Sequence, residues 1–344
     1  MNYILAFTAA LVASTSFTPA ARDLAVKVGL LDHPGPRKVH TTPMPLLGGV
    51  AVYLSTVFAI AAFVTDEAWS QMAGILVAST IALVVGVFDD RGLLHHQVKL
   101  VAGMPLAALV LIATDMHSEM FHPMEMVPWV GVPGAWLDYA LSFVWFVGIM
   151  AAFSILDHMD GLCAGIAAIA AAFFLYFAVS GGQVLVGSLA AAMLGASIGF
   201  LCWNFNPSRI FLGDGGAMLL GLIVATLGIK LRFPEVAPTT SWMIPVLVLG
   251  VPIFDTTLVT ISRGRRGLVP FASPGRDHTA HRLTSLGWSH RRAVLTLYGA
   301  AVTFGVLGCV VPRLDTPQTV MVAGAVTLAA LVIIVALEQT PFER

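Results

Sequence analysis

Eleven long apolar runs with little between them limit what this chain can fold into. They cover roughly 1–21, 47–65, 71–88, 98–114, 133–153, 162–180, 183–203, 215–231, 241–261, 293–312 and 317–338. Each is on the order of 20 residues with few or no charges, the length a helix needs to cross the hydrocarbon of a bilayer. The connectors are short, so almost nothing remains for a soluble domain. The expected fold is all-α, a polytopic integral membrane protein of 10–11 transmembrane helices forming one domain over 1–344. A net charge of −1 offers no basic footprint for nucleic acid, and none is expected as a partner.

Several features have plain readings. No Lys or Arg precedes Arg22, so the first run lacks the positive n-region of a signal peptide and reads as a span. Cysteines 163, 202 and 309 are far apart and lie in or at apolar runs, which indicates neither a disulfide framework nor a zinc ribbon. The alanine-rich stretch 164–174 reads as close helix packing in lipid. The two halves show no convincing repeat, which weakens a transporter reading.

Alternate connectors divide the basic residues fifteen to three, which places the richer set in the cytoplasm. The N-terminus is then outside and the C-terminus inside. The acids sort with the same rule. Those outside are scattered loop charges, and Asp138, near an outer helix end, is expected to reach the interface. Those inside sit at the ends of spans: Asp89 and Asp90, Asp157 and Asp160, and Asp214. A carboxylate at a membrane helix costs free energy and usually has a task.

The cytoplasmic loops 22–46, 89–97, 154–161, 204–214 and 262–292 are the candidate active site. Asp89 and Asp90 are adjacent, and adjacent carboxylates repel unless a cation or proton lies between them. Asp157 and Asp160 stand three apart at a helix end, where both can face one side. The "GDGG" at 213–216 places Asp214 on a tight turn before a helix N-terminus, whose free N–H groups favour anions. The last loop carries seven arginines and three histidines, and guanidinium groups match phosphate. Acids at three helix ends beside a basic loop suggest a divalent cation and a phosphorylated ligand. Zinc at His278 and His281 is disfavoured, because no third ligand is close in sequence.

Four ordered blocks, with a first loop before them, carry a family resemblance. "DHPGPRKVHTTPMPLLGG" (32–49), "FDDRGLLHHQVKL" (88–100), "FSILDHMDGLCAG" (153–165), "NFNPSRIFLGDGG" (204–216) and "GLVPFASPGRDHTAHRL" (267–283) are similar to motifs of the polyprenyl-phosphate N-acetylhexosamine-1-phosphate transferases of glycosyltransferase family 4. The chain departs from the usual pattern at Leu46, Ala151, Ser154, His158 and Ala280. It lacks the consecutive histidines of the muramoyl-pentapeptide branch, so the resemblance is to the branch that uses UDP-N-acetylglucosamine or a related UDP-N-acetylhexosamine.

The resemblance implies a Mg²⁺-dependent phosphoglycosyl transferase, with Mn²⁺ able to substitute, in the bacterial inner membrane with its site on the cytoplasmic face. Its partners would be a UDP-N-acetylhexosamine and a polyprenyl (undecaprenyl) phosphate, and a homodimer is compatible with it. It implies Asp89 and Asp90 as catalytic residues, and Asp214 and Asp157 as metal ligands. Asp160, Asn204, Phe211, Lys99, Arg276, His278, His281 and Lys38 would bind substrate, with Phe211 stacking on uracil. Two other readings stand beside it. A CDP-alcohol phosphotransferase partly fits 157–165 but needs further aspartates that 166–213 lacks. An ion- or proton-coupled transporter would use membrane carboxylates, but near the bilayer midplane.

Overall fold

The computed structural model describes residues 3–35, 40–63, 69–94, 96–121, 124–128, 130–234, 236–269 and 275–340. The chain divides into two compact units, Met1–Leu231 and Arg232–Arg344. The first four candidate loops fall in the first unit and loop 262–292 in the second.

The first unit is built from α1 (Tyr3–Lys27), α2 (Gly48–Phe63), α3 (Trp69–Asp90), α4 (His96–Val98), α5 (Met104–Ala113), α6 (Gly134–Leu156), α7 (Leu162–Ser180), α8 (Val184–Asn204) and α9 (Gly213–Lys230). A π-helical turn, Lys99–Gly103, leads into α5. One departure from an all-helical chain is a two-residue antiparallel ladder between β1 (Leu31–Asp32) and β2 (Met44–Pro45).

Helix α9 is the hub. Apart from Asp214 its residues are buried from Gly213 to Gly228, and α2, α3, α6, α7 and α8 pack around it. Where neighbours are as apolar as lipid, small residues let helices approach closely. A Cβ on Gly49 of α2 would overlap the Gly216 backbone, and one on Gly86 of α3 would overlap Gly215. The first run follows the same logic. Gly195 and Gly199 of α8 lie against the backbone of α1, and Ser14 Oγ donates to Ala196 O at 2.7 Å. α1 is thus packed along α8 as a helix of the bundle.

The second unit holds α10 (Pro238–Ser241), α11 (Met243–Val248), α12 (Gly250–Arg265), α13 (Thr279–Ser285), α14 (His290–Val310) and α15 (Thr316–Glu338). The apolar run 241–261 is divided between α11 and α12 at Leu249. Pro245 and Pro252 each lack an N–H, so the hydrogen-bond ladder is interrupted there. α14 packs on α11, α12 and α13. Leu258, Ile334 and Leu337 join α12 to α15 with Phe254 and Ile261. A capping box of Asp315 and Gln318 starts α15.

Among the described residues, eight helices are long and apolar enough to cross a membrane: α1, α3, α6, α7, α8, α9, α14 and α15. Two shorter apolar helices, Gly48–Ala62 and Lys99–Ala113, correspond to the second and fourth runs. Asp138 corrects an expectation. It is fully buried in the first turns of α6 rather than at the interface. Its carboxylate accepts from Ser118 Oγ at 2.6 Å and from Phe121 N–H at 3.1 Å. The preceding loop folds back over α6, so the acid finds its donors there instead of in water.

Candidate active site

The centre of the first unit's site is the meeting of α3 with the start of α9. Lys99 Nζ lies 2.7 Å from Asp89 Oδ2 and 2.8 Å from Asp214 Oδ2, bridging acids that are 125 positions apart. The π-helical turn that begins at Lys99 places its amine there. Ser154 Oγ donates to the other Asp214 oxygen at 2.7 Å. Asp90 takes a different post from its neighbour. Its oxygens accept from Asp214 N–H at 3.0 Å and Gly215 N–H at 3.4 Å. The anion at the N-terminus of α9 is therefore the protein's own carboxylate, which caps the helix across the bundle. Gly213, at φ 76°, is needed because a Cβ would lie 2.6 Å from Asp90 Oδ2.

Asp157 and Asp160 are separated by the local fold. α6 ends at Leu156, so their spacing of three does not place them on one helical face. Asp157 is the residue after that helix. Burial, then the negative charges of Asp214, Asp90 and Asp160, hold its carboxyl well above the ordinary range. Asp160 faces the 206–208 turn. It accepts from Asn206 Nδ2 at 2.9 Å, Ser208 Oγ at 2.9 Å and Ser208 N–H at 3.2 Å. Asn204 is a clip between the same loops, accepting from Gly161 N–H at 3.0 Å and donating to Ile210 O at 2.9 Å. Both side chains hold the loop that carries Phe211.

Phe211 is braced by the first loop. Its N–H donates to Pro45 O at 2.9 Å, and Gly48 N–H donates to Phe211 O at 3.1 Å. The His40 ring stands edge-on to it, with centroids 5.3 Å apart at 74°. His40 Nε2 is 2.9 Å from Asp32 Oδ2. Neither His40 nor Asp32 was among the expected site residues. Lys38 lies outside the described residues.

The second unit rearranges the basic-loop expectation. Arg263 grips Asp277 with two nitrogens, at 2.9 and 2.8 Å, and Arg266 pairs with the same carboxylate. Arg282, wholly buried, donates to Glu338, Ser262, Asp277 O and Leu337 O. Arg265 also reaches Glu338, at 3.3 Å. Four of the loop's seven arginines are thus in internal ion pairs that tie it to α12 and α15. A loop rich in arginine read from sequence as a phosphate-binding array is in large part a folded, self-paired structure. Arg276 is half-buried. His278 is buried, its Nδ1 3.0 Å from Asp255 Oδ2. The His281 pKa falls to about 4, first through burial and then through His278 and Arg276 beside it. Asp255 was missed because it sits inside an apolar run. A lone acid in such a run was the available signal.

In the first unit, Asp89, Asp90, Asp157 and Asp214 gather at helix ends around one bridging lysine. Hard carboxylate oxygens in excess over nearby positive charge are the donor set that suits Mg²⁺ held jointly with phosphate. Both Asp214 oxygens are already met, by Lys99 Nζ and Ser154 Oγ, as both Asp90 oxygens are by backbone N–H groups. Four acids around one lysine leave net negative charge, so phosphate-bearing molecules would gather there only with a cation in place.

Comparison with known proteins identifies the family. The model of the family "Glycosyl transferase family 4" matches residues 72–232. The chain is 34% identical to the probable undecaprenyl-phosphate N-acetylglucosaminyl 1-phosphate transferase of Bacillus subtilis (strain 168), over 89% of this chain and 84% of that protein. It is 31% identical to the decaprenyl-phosphate N-acetylglucosaminephosphotransferase of Mycolicibacterium smegmatis, over 96% and 87%. Against the undecaprenyl-phosphate alpha-N-acetylglucosaminyl 1-phosphate transferase of Yersinia pestis the identity is 26%, over 90% and 85%. With acids from α3, α6 and α9 meeting at one point and full-length relatives of this kind, the chain belongs to glycosyl transferase family 4.

Proposed function

We propose that this protein transfers N-acetylglucosamine 1-phosphate from UDP-N-acetylglucosamine to a polyprenyl phosphate such as undecaprenyl phosphate. A phosphate oxygen of the lipid attacks the β-phosphorus, the bond to the α-phosphate bridging oxygen breaks, and UMP leaves. A polyprenyl-diphosphate sugar remains in the membrane. The observation that carries this reading is the Asp89–Lys99–Asp214 bridge at converging helix ends.

The chain's residues divide the work. Asp89 orients the lipid phosphate and takes its proton where one is present. Lys99 holds Asp89 and Asp214 in register and offsets their charge. Asp214, held by Ser154, and Asp157 are the carboxylates that would hold Mg²⁺, or Mn²⁺ in its place. When bound, the cation neutralises charge on the diphosphate. Asp90 keeps α9 pointed at the site, Asp160 and Asn204 hold the loop behind Phe211, and Phe211 offers its ring to the uracil. Two anions must meet, so positioning and charge neutralisation supply most of the acceleration. The protein would work as a multi-pass inner-membrane enzyme with 10–11 spans and its site on the cytoplasmic face. Asp89, Asp90, Asp157 and Asp214 lie at helix ends rather than mid-helix, which does not favour the transporter reading.

Purified protein given UDP-N-acetylglucosamine, undecaprenyl phosphate and Mg²⁺ should release UMP and form the lipid-linked sugar, and a chelator should stop both. UMP release that does not need the lipid would defeat the reading. So would turnover confined to another UDP-sugar.

A further inference from the structure

Asp255 lies in α12 with 1% of its surface exposed, in the apolar stretch GVPIFDTTLVT. A carboxylate there is costly unless its oxygens are satisfied. Both are satisfied by the start of α13. Thr279 N–H donates to Oδ1 at 2.7 Å, and His278 Nδ1 lies 3.0 Å from Oδ2. His278 and Thr279 are themselves only 5% and 6% exposed. The Thr279 contact alone would anchor the chain, whereas the second contact orients an imidazole. A carboxylate only accepts, so Nδ1 must carry a proton, and in the neutral ring Nε2 is then the acceptor.

We propose that Asp255 is a positioning residue for the transfer reaction, holding His278 in the Nδ1–H form so that Nε2 serves the UDP-sugar. The inference rests on the proposed function and on the family resemblance, which implies that His278 binds substrate; as an acceptor, Nε2 would take a hydroxyl or amide N–H of the sugar. Asp277 supports it from the other side. Arg263 and Arg266 fasten Asp277 to α12, so the residue before His278 is held as firmly as the one after it. With the backbone held on both sides of the ring, the remaining freedom is which nitrogen bears the proton, and Asp255 removes it.

Asp255→Asn tests this with little change of shape. The amide oxygen can still accept Thr279 N–H, which turns the NH₂ toward His278 and favours a bare Nδ1. In ¹⁵N-histidine-labelled protein in detergent, the wild-type His278 Nδ1 signal should be that of a protonated nitrogen. In Asp255→Asn it should become that of an unprotonated one. Turnover should fall by about a hundredfold, with the melting temperature monitored alongside. In a His278→Ala background the same substitution should cost almost nothing more, because the two residues act as one unit. Full additivity with His278→Ala would overturn the proposal, since a purely structural acid would weaken both backgrounds alike. An unprotonated Nδ1 in the wild type would overturn it as well. If the wild type releases no UMP from UDP-N-acetylglucosamine, the functional reading fails, while the ¹⁵N signals still decide the tautomer.

Discussion

Asp277 and Asp157 carry the same side chain into opposite settings. Burial raises the pKa of each. Around Asp277 the guanidinium groups of Arg263 and Arg266 more than reverse it, leaving the acid at about 2. Around Asp157 the neighbours are other acids, which add to it. A depressed carboxylate contributes stability that is present above its ordinary value near 3.8 and is lost as pH falls toward 2. The Asp277 lock is therefore intact throughout the physiological range. Division of labour between Asp89 and Phe211 is testable at the same scale. Phe211→Ala should mainly raise the UDP-sugar KM, because stacking is common to ground and transition states. Asp89→Asn should lower kcat by about a hundredfold or more with little change in that KM. One detergent assay, varying UDP-sugar at saturating lipid phosphate, separates them. An unchanged kcat with a much weaker KM in Asp89→Asn would put that acid at the nucleotide end.

The helices meet closely enough for single methyl groups to matter. Gly86 lets α3 approach α9 at Gly215, one turn before Asp89 and Asp90. Its neighbour atoms are backbone, so an added Cβ cannot be absorbed by a rotamer change. Gly86→Ala should cost roughly 1–3 kcal/mol through overpacking and shift Asp90 away from the α9 N-terminus. Melting temperature and UMP release should then fall together. Gly148 in α6 has open space where a Cβ would stand, so Gly148→Ala should leave both near wild type. Equal losses in the two variants would show that the damage is generic to helix glycines rather than specific to the α3–α9 contact.

For the whole molecule, the distribution of Lys and Arg predicts that connectors 89–97 and 262–292 both face the cytoplasm. Single cysteines at positions 94 and 275, in a chain otherwise cleared of Cys163, Cys202 and Cys309, should resist an impermeant thiol reagent in intact cells. One at position 120 should react. Labelling of 94 or 275 from outside would overturn the orientation read from the basic residues.

Most helices are legible in the apolar runs, because lipid-length runs leave the backbone few alternatives, although the run 241–261 is divided at Leu249. Acids are rare in such runs, so the sequence by itself also singled out the blocks that bear them as the candidate site. What each polar group faces followed from packing between distant segments. Sequence places Asp89 and Asp90 side by side, but the end of α3 sends one to Lys99 and the other to the N-terminus of α9. Spacing pairs Asp157 with Asp160, but α6 stops at Leu156 and turns them apart. Seven arginines look like phosphate ligands until Asp277 and Glu338 claim four of them. Asp255 drew no attention until His278, 23 residues away, came to rest against it. Partition into lipid acts on each run locally and can be read along the chain. Pairing of buried polar groups acts between distant segments, and only the packed helices decide it.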